Sequence, residues 1–172
     1  MAEQALVVVD YAQRTREANT TLRYYVLGSL GLGAAVNAFP IPSAFALWID
    51  MGALTALNLT MLYNLSKHYD IPFSQDIVKE TVSSLLVTAL PIEGAQPLAS
   101  ELLRLIPGIG AWTSIISFSI LSGAATYAIG KVFIQHFESG GTFLSFDPAQ
   151  VRNYFMTQLE KGKQVVTEMG NV

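Results

Sequence analysis

YYVLGSLGLGAAVNAFPIPSAFALWI, Tyr24 to Ile49, runs for 26 residues without one Asp, Glu, Lys or Arg. A second run of the same length, Leu105 to Gly130, is equally free of charge, and shorter ones cover Met51–Ser66 and Thr81–Ile92. A helix crossing a bilayer core of roughly 30 Å needs about 20 apolar residues. Prolines interrupt both long runs, at Pro40 and Pro42 in the first and Pro107 in the second. Proline lacks an N–H and disfavours helix in the residue before it, so each marks a break. Read this way, the runs become the arms of two helical hairpins.

Cutting at the breaks predicts an all-α fold: two apolar helical hairpins with polar amphipathic N- and C-terminal helices. The whole of 1–172 reads as one domain. A polar N-terminal helix covers 1–23, the hairpin core 24–137, and a loop with a C-terminal helix 138–172. Within the core, an apolar helix runs from Tyr24 to Phe39 and turns at Pro40-Ile41-Pro42. Ser43 can cap a helix to about Tyr69. Ser74 can cap the next, which ends at Leu90 before the Pro91–Pro97 break. A short helix is expected from Ala99 to Leu105. Pro107-Gly108-Ile109-Gly110 forms the second hairpin turn, and the longest apolar helix follows from Ala111 to about Phe137. No segment reads convincingly as strand.

Composition narrows the function classes. The chain of 172 residues is 51% hydrophobic, with only 13% charged residues and a mean hydropathy of +0.40. Globular domains carry roughly 25% charged residues, so a disordered chain and most nucleic-acid binders are excluded. A net charge of −3 leaves no basic footprint for nucleic acid, and zero cysteines exclude thiolate metal sites and cysteine catalysis.

The sparse charges are also unevenly placed. If both hairpins enter from one side, that side holds Arg14, Arg16, Arg23, Lys67, Lys79, Lys131, Arg152, Lys161 and Lys163, and the hairpin tips hold Arg104. Cytoplasmic segments carry the excess of Lys and Arg, so cytoplasmic termini and membrane lipid as a partner are expected. Tyr24–Phe39 would be only about 24 Å long as helix, so re-entrant arms compete with true spans. The strongest expected span is Ala111–Gly130. A soluble bundle with an oily core is the other reading of the same pattern, and a homo-oligomer would serve it.

Small residues at four-residue spacing mark helix contacts: Ser29, Gly33 and Asn37 on the first arm, and Ser122, Thr126 and Gly130 on the last. Asp50 and Asn58 share a face of the helix from Ser43 and are expected as a buried polar helix face turned to other helices or water; a proton or ion site in a small channel or transporter component is the alternative use of the same two residues. The glycines Gly28, Gly31 and Gly33 follow no strand and lack the third position of a dinucleotide fingerprint. His68 and His136 fall at helix ends, where an interfacial or capping role is expected. No catalytic grouping, cofactor site or metal motif emerges, so a non-enzymatic protein is expected.

With these residues in view, the segment from about 39 to 137 resembles the YcjF-like family, the domain of unknown function 697. Pro40-Ile41-Pro42, Asp50, Thr55-Ala56-Leu57-Asn58 and Met61 carry the first half, with Tyr69 and Phe73-Ser74 at its end. Ile106-Pro107-Gly108-Ile109-Gly110, Ala125-Thr126-Tyr127-Ala128-Ile129-Gly130 and Phe137 carry the second. Asn58 stands where the family often has glutamine. Asp70 stands where glycine is common, which suggests a different turn there. The resemblance implies a bacterial membrane-associated helical module, in the inner or an internal membrane, that anchors or recruits a partner. A small GTPase supplied separately is the first partner it suggests, because this chain has no phosphate-binding loop of its own.

Overall fold

A computed structural model describes the backbone of residues 2–37, 43–93 and 110–170, with side chains at 10–32, 52–85 and 119–169. Among these residues the chain is helical, without strands. The helices are α1 (Ala2–Asn37), α2 (Ser43–His68), α3 (Gln75–Glu93), α4 (Gly110–Glu138) and α5 (Pro148–Gly170), with a 3-10 turn at Phe143–Ser145. The hairpin turns expected at Pro40, Pro42, Pro107 and Gly108 lie outside the described residues, as does the helix expected at 99–105; Gly110 is the first residue of α4.

Two boundaries differ from expectation. The polar 1–23 segment and the apolar arm after it form one continuous helix, α1. No proline or glycine falls between Thr15 and Leu27, so the loss of charge at Tyr24 changes the helix's surroundings and not its backbone. Helix α3 runs through Pro91 to Glu93. Proline there removes one backbone donor and crowds the carbonyl four residues back, and the helix ends two residues later.

Helix α4 is the axis of the bundle. Its largest interfaces are with α5 and α1, while α2 packs on α1 and α3 bridges α2 to α5. The order of the contacts fixes direction. Thr15, Asn19 and Leu22 of α1 meet Glu138, Lys131 and Gly130 of α4 in turn, so these two are antiparallel. Tyr25 and Thr21 likewise meet Asn64 and His68 of α2. Helix α5 runs back along α4, setting Gly162 on Ala124 and Val166 on Gly123.

Burial explains the composition of α4. Residues 122–126, 128–130 and 132–134 are all buried, and a helix that is apolar all round belongs inside other protein or lipid. Here the cover is protein, and α5 brings Glu160, Lys161 and Lys163 alongside. Among the described residues no helix is long and apolar enough to cross a membrane. The span expected over Ala111–Gly130 is therefore corrected: at least its second half is the core of a bundle.

An aromatic core closes the charged end. Phe133 stacks on Phe146 at 4.5 Å between centroids and lies 5.5 Å from Phe143. Phe73 and Phe137 reach the same Phe143 edge-on. The Ser/Gly-rich loop that joins α4 to α5 thus contributes two core rings.

Helix ends follow local chemistry. After α4, Gly141 N–H donates to His136 O and Gly140 N–H to Phe137 O, with Gly140 at φ 80°. This is the paired-bond helix stop that needs a left-handed residue. After α2 the same pattern recurs, Ile71 N–H to Ser66 O and Asp70 N–H to Lys67 O, with Asp70 at φ 54°. The turn is the one glycine would make; aspartate adopts it at some strain.

Candidate functional site

On α1, α2 and α4 a charge-free end of the bundle meets a charged end, and the boundary is built alike on all three; α5 carries charge past it, with Lys161 and Lys163 flanking the Ala124 level of α4. On α2, Tyr63 lies one turn from Lys67, whose Nζ sits 4.0 Å from the ring centroid. On α4, Tyr127 and Lys131 repeat the spacing at 5.7 Å. On α1, Arg23 precedes Tyr24 and Tyr25, and Tyr25 accepts a 2.6 Å hydrogen bond from Asn64 Nδ2. Because α1 runs opposite to α2 and α4, all three cations fall on the charged side of their tyrosines. They form a collar.

Beyond the collar, the outer faces of α1 and α2 are exposed and uncharged. Tyr24 is 74% exposed and Leu27 54%. Gly28 and Gly31 continue that face, and Gly52, Ala56, Thr60 and Tyr63 present the corresponding face of α2. Gly28 approaches Leu57, so the two faces adjoin. Exposed apolar surface of this kind marks an interaction site more often than a buried apolar core does.

Behind the faces runs a buried polar seam. Asn58 is fully buried and its Nδ2 donates to Leu54 O at 2.8 Å and to Thr126 Oγ1 at 3.5 Å. Its Oδ1 has no hydrogen-bond partner. Ser29 and Ser122 are buried on the facing helices, and Ser29 returns its hydroxyl to Val26 O. Gly130 admits Leu22 into van der Waals contact. Of the residues singled out from sequence, Asn58 and Thr126 come together across α2 and α4, while Gly130, one turn beyond Thr126, meets Leu22 of α1. The side chain of Asp50 and the packing of Gly33 lie outside the described residues.

Below the collar, Glu138 ties three helices. Its Oε1 accepts the Thr15 hydroxyl at 2.8 Å and the Tyr69 hydroxyl at 3.1 Å. Desolvation, then the Glu138 charge and its hydrogen bond, push the Tyr69 pKa well above the ordinary phenol value. His68 at the end of α2 contacts Thr21 Oγ1 at 3.0 Å through Nε2 and Glu17 at 3.6 Å through Nδ1. His136 Nε2 lies 2.9 Å from Thr142 O and packs against Gly141, which anchors the loop. Both histidines therefore have local partners. Among the described residues no group of three or more His, Asp or Glu could hold a metal ion.

Sequence reasoning passed over Lys131. It sits half-buried between α1, α4 and α5, and its Nζ donates to Asn19 Oδ1 at 2.6 Å. Desolvation lowers its pKa; the Glu138 charge opposes this, and Lys161 adds to it by a smaller amount. The available signal was its position, a lysine closing the longest charge-free run of the chain. Asn19, Arg23, Leu22, Tyr127, Val165, Glu168 and Met169 join it around a cleft of about 450 Å3.

The family model described as Domain of unknown function (DUF697) matches residues 12–164 of this chain. That range extends beyond the segment of about 39–137 expected to carry the resemblance, and takes in most of α1 and α5. The protein named "Magnetosome membrane protein 22" from Magnetospirillum gryphiswaldense (strain DSM 6361 / JCM 21280 / NBRC 15271 / MSR-1) is 31% identical over 160 residues. The match covers 93% of this chain and 77% of that protein. No solved structure matches.

Proposed function

The chain belongs to the domain of unknown function 697 family, and from that premise we propose that it is a non-enzymatic, membrane-associated helical module. Its charge-free end dips into one leaflet of a bacterial inner or internal membrane, and its charged end stays in the cytoplasm to recruit a partner. The observation that carries this reading is the collar. Tyr63–Lys67, Tyr127–Lys131 and Arg23–Tyr24 sit at one level, below exposed faces that bear no charge. Amphipathic rings and snorkelling cations favour a headgroup layer, and uncharged faces favour hydrocarbon. The membrane name of the relative supports the same assignment.

Helix α5 confines entry to the side of the bundle that the α1 and α2 faces present. Its Glu160, Lys161 and Lys163 flank the second half of α4, and such side chains are expensive in hydrocarbon. Helix α5 runs back toward the charge-free side, while the start of α1 and the α4–α5 loop stay on the side of entry. The cation excess there supports a cytoplasmic assignment. The partner face is then the charged end, where Tyr11 and Leu144 are the large apolar side chains exposed among the described residues; Leu144 is 83% exposed on the 3-10 turn. A small GTPase is the first partner to test.

Vesicle flotation without detergent tests the proposal. The full chain should rise with the vesicles and should be released by detergent. A chain that stays with the soluble fraction as a homogeneous oligomer would instead favour a scaffold that buries the α1 and α2 faces between copies. Capture from solubilised membranes, comparing wild type with Leu144→Asp, tests the partner face: a GTPase retained by the first and lost by the second is the expected result.

A further inference from the structure

The cleft between α1, α4 and α5 has a polarity gradient. Its charged-end wall holds Lys131, Asn19 and Arg23, and its other wall holds Val165, Glu168 and Met169 of α5, with Leu22 between. Helix α5 sets Val166 beside Gly123. Val165 thus lies about two turns, roughly 10 Å at 1.5 Å per residue, nearer the charge-free end than Lys131. Arg23 and Lys131 have no ion-pair partner among the described residues, and Lys131 is half-buried with only the neutral Asn19 amide as its hydrogen-bond acceptor.

A cation held partly out of water is costly unless an opposite charge joins it. An anion between Lys131 Nζ and the Arg23 guanidinium would supply the ion pair that Lys131 lacks; Lys161 adds positive potential there, and the Glu138 charge, whose effect on Lys131 is the larger, subtracts from it. Glu168, an exposed residue lining the same cleft, opposes a second negative charge. The volume is typical of a small-ligand site. The apolar wall beyond the cations is where a hydrocarbon chain attached to the anion would lie.

We propose that this cleft binds the single-phosphate headgroup of a phospholipid, with the phosphate between Lys131 and Arg23 and the first acyl carbons along Leu22, Val165 and Met169. The inference rests on the membrane reading, because the cleft opens at the level of the collar. It turns a non-specific apolar anchor into a site with headgroup recognition. Arginine and lysine donors to phosphate form charge-assisted hydrogen bonds, roughly twice as strong as neutral ones.

Calorimetric titration of the full chain with three soluble probes tests it: dihexanoyl phosphatidylglycerol, dihexanoylglycerol without phosphate, and glycerol phosphate without acyl chains. The first should bind about tenfold or more tighter than either of the others. Lys131→Gln should weaken it about tenfold and Arg23→Gln severalfold, whereas Lys79→Gln, on α3, should change nothing. Glycerol phosphate binding as tightly as the lipid would assign a free-phosphate site and overturn the proposal. So would dihexanoylglycerol matching the lipid, or unchanged binding by both Lys131→Gln and Arg23→Gln. Flotation on phosphatidylcholine vesicles separates the two readings. A chain that floats but binds none of the probes overturns the headgroup site alone, and one that binds the lipid probe but does not float overturns leaflet insertion.

Discussion

Gly162 of α5 lies so close to Ala124 of α4 that a Cβ there would stand 2.8 Å from the Ala124 carbonyl oxygen and 2.9 Å from its Cα. Both helices therefore meet backbone to backbone, and the obstructing atoms cannot rotate away. Gly162→Ala should lower stability by about 1–3 kcal/mol, despite alanine's better helix propensity. Gly52→Ala provides the contrast: nothing lies within 4 Å of its Cβ position on the exposed face of α2. That variant should be more stable by up to about 1 kcal/mol. Urea midpoints of the two variants, compared with wild type, check the opposite signs.

Asp70 holds a left-handed conformation, φ 54°, at the end of α2. Its carboxylate lies 3.6 Å from Arg14, but both side chains are well exposed, and exposed pairs contribute little. The backbone strain should dominate. Asp70→Gly should raise stability by about 1 kcal/mol, and Asp70→Ala should lower it, because alanine keeps the strain and loses the ion pair. Thermal unfolding of the pair would show whether strain or charge decides.

How far the fold was legible in the sequence depends on which signal each element sends. Helix α2 could be bounded from Ser43 and from the turn before Pro72, because capping and proline act on the backbone itself. The join at Arg23–Tyr24 could not, since a change of charge reports a change of solvent and both residues are adequate helix formers. The reading of Ala111–Gly130 as a span failed for a related reason. Hydropathy cannot distinguish lipid from the surrounding helices that bury Ala124, Ala128 and Ile129. Asn58 was legible as a polar residue on a helix face. Its pairing with Thr126 was not, because that contact joins residues 68 apart. The cleft around Lys131 draws on three helices, and no periodicity along one of them could reveal it.

Alkaline pH should expose the buried phenols. The Tyr69 pKa is raised, by desolvation first and then by Glu138, from 10.0, while Tyr127 and Tyr154 are raised chiefly by desolvation. A folded pKa above the unfolded value means the folded state holds its proton longer. The contribution is fully present below about pH 10 and is lost as pH rises through the folded pKa. Lys131 acts in the opposite sense: its folded pKa is lowered from 10.5, so folding gains stability as pH rises through that lowered value toward 10.5. Denaturation midpoints from about pH 8 to 11 should therefore fall less steeply at the alkaline end in Tyr69→Phe. That variant should also lose about 1 kcal/mol near neutrality, with the hydrogen bond to Glu138. An unchanged alkaline slope would remove Tyr69 from the account.

Leu27 offers the sharpest separation of folding from membrane entry. It is 54% exposed on α1, above the Arg23 level and on the outer face beside Tyr24, so Leu27→Asp removes little buried surface. Its effect on unfolding in solution should stay within about 0.5 kcal/mol. Moving aspartate to the centre of a bilayer costs about 3 kcal/mol, and less near the headgroups. Flotation on neutral vesicles should accordingly fall roughly tenfold or more. Thr20→Asp, also exposed on α1 but below Arg23, carries the same added charge on the aqueous side of the collar and should float like wild type. Equal flotation of Leu27→Asp and wild type would mean that this face never meets hydrocarbon, and would point instead to a second protein copy as its cover.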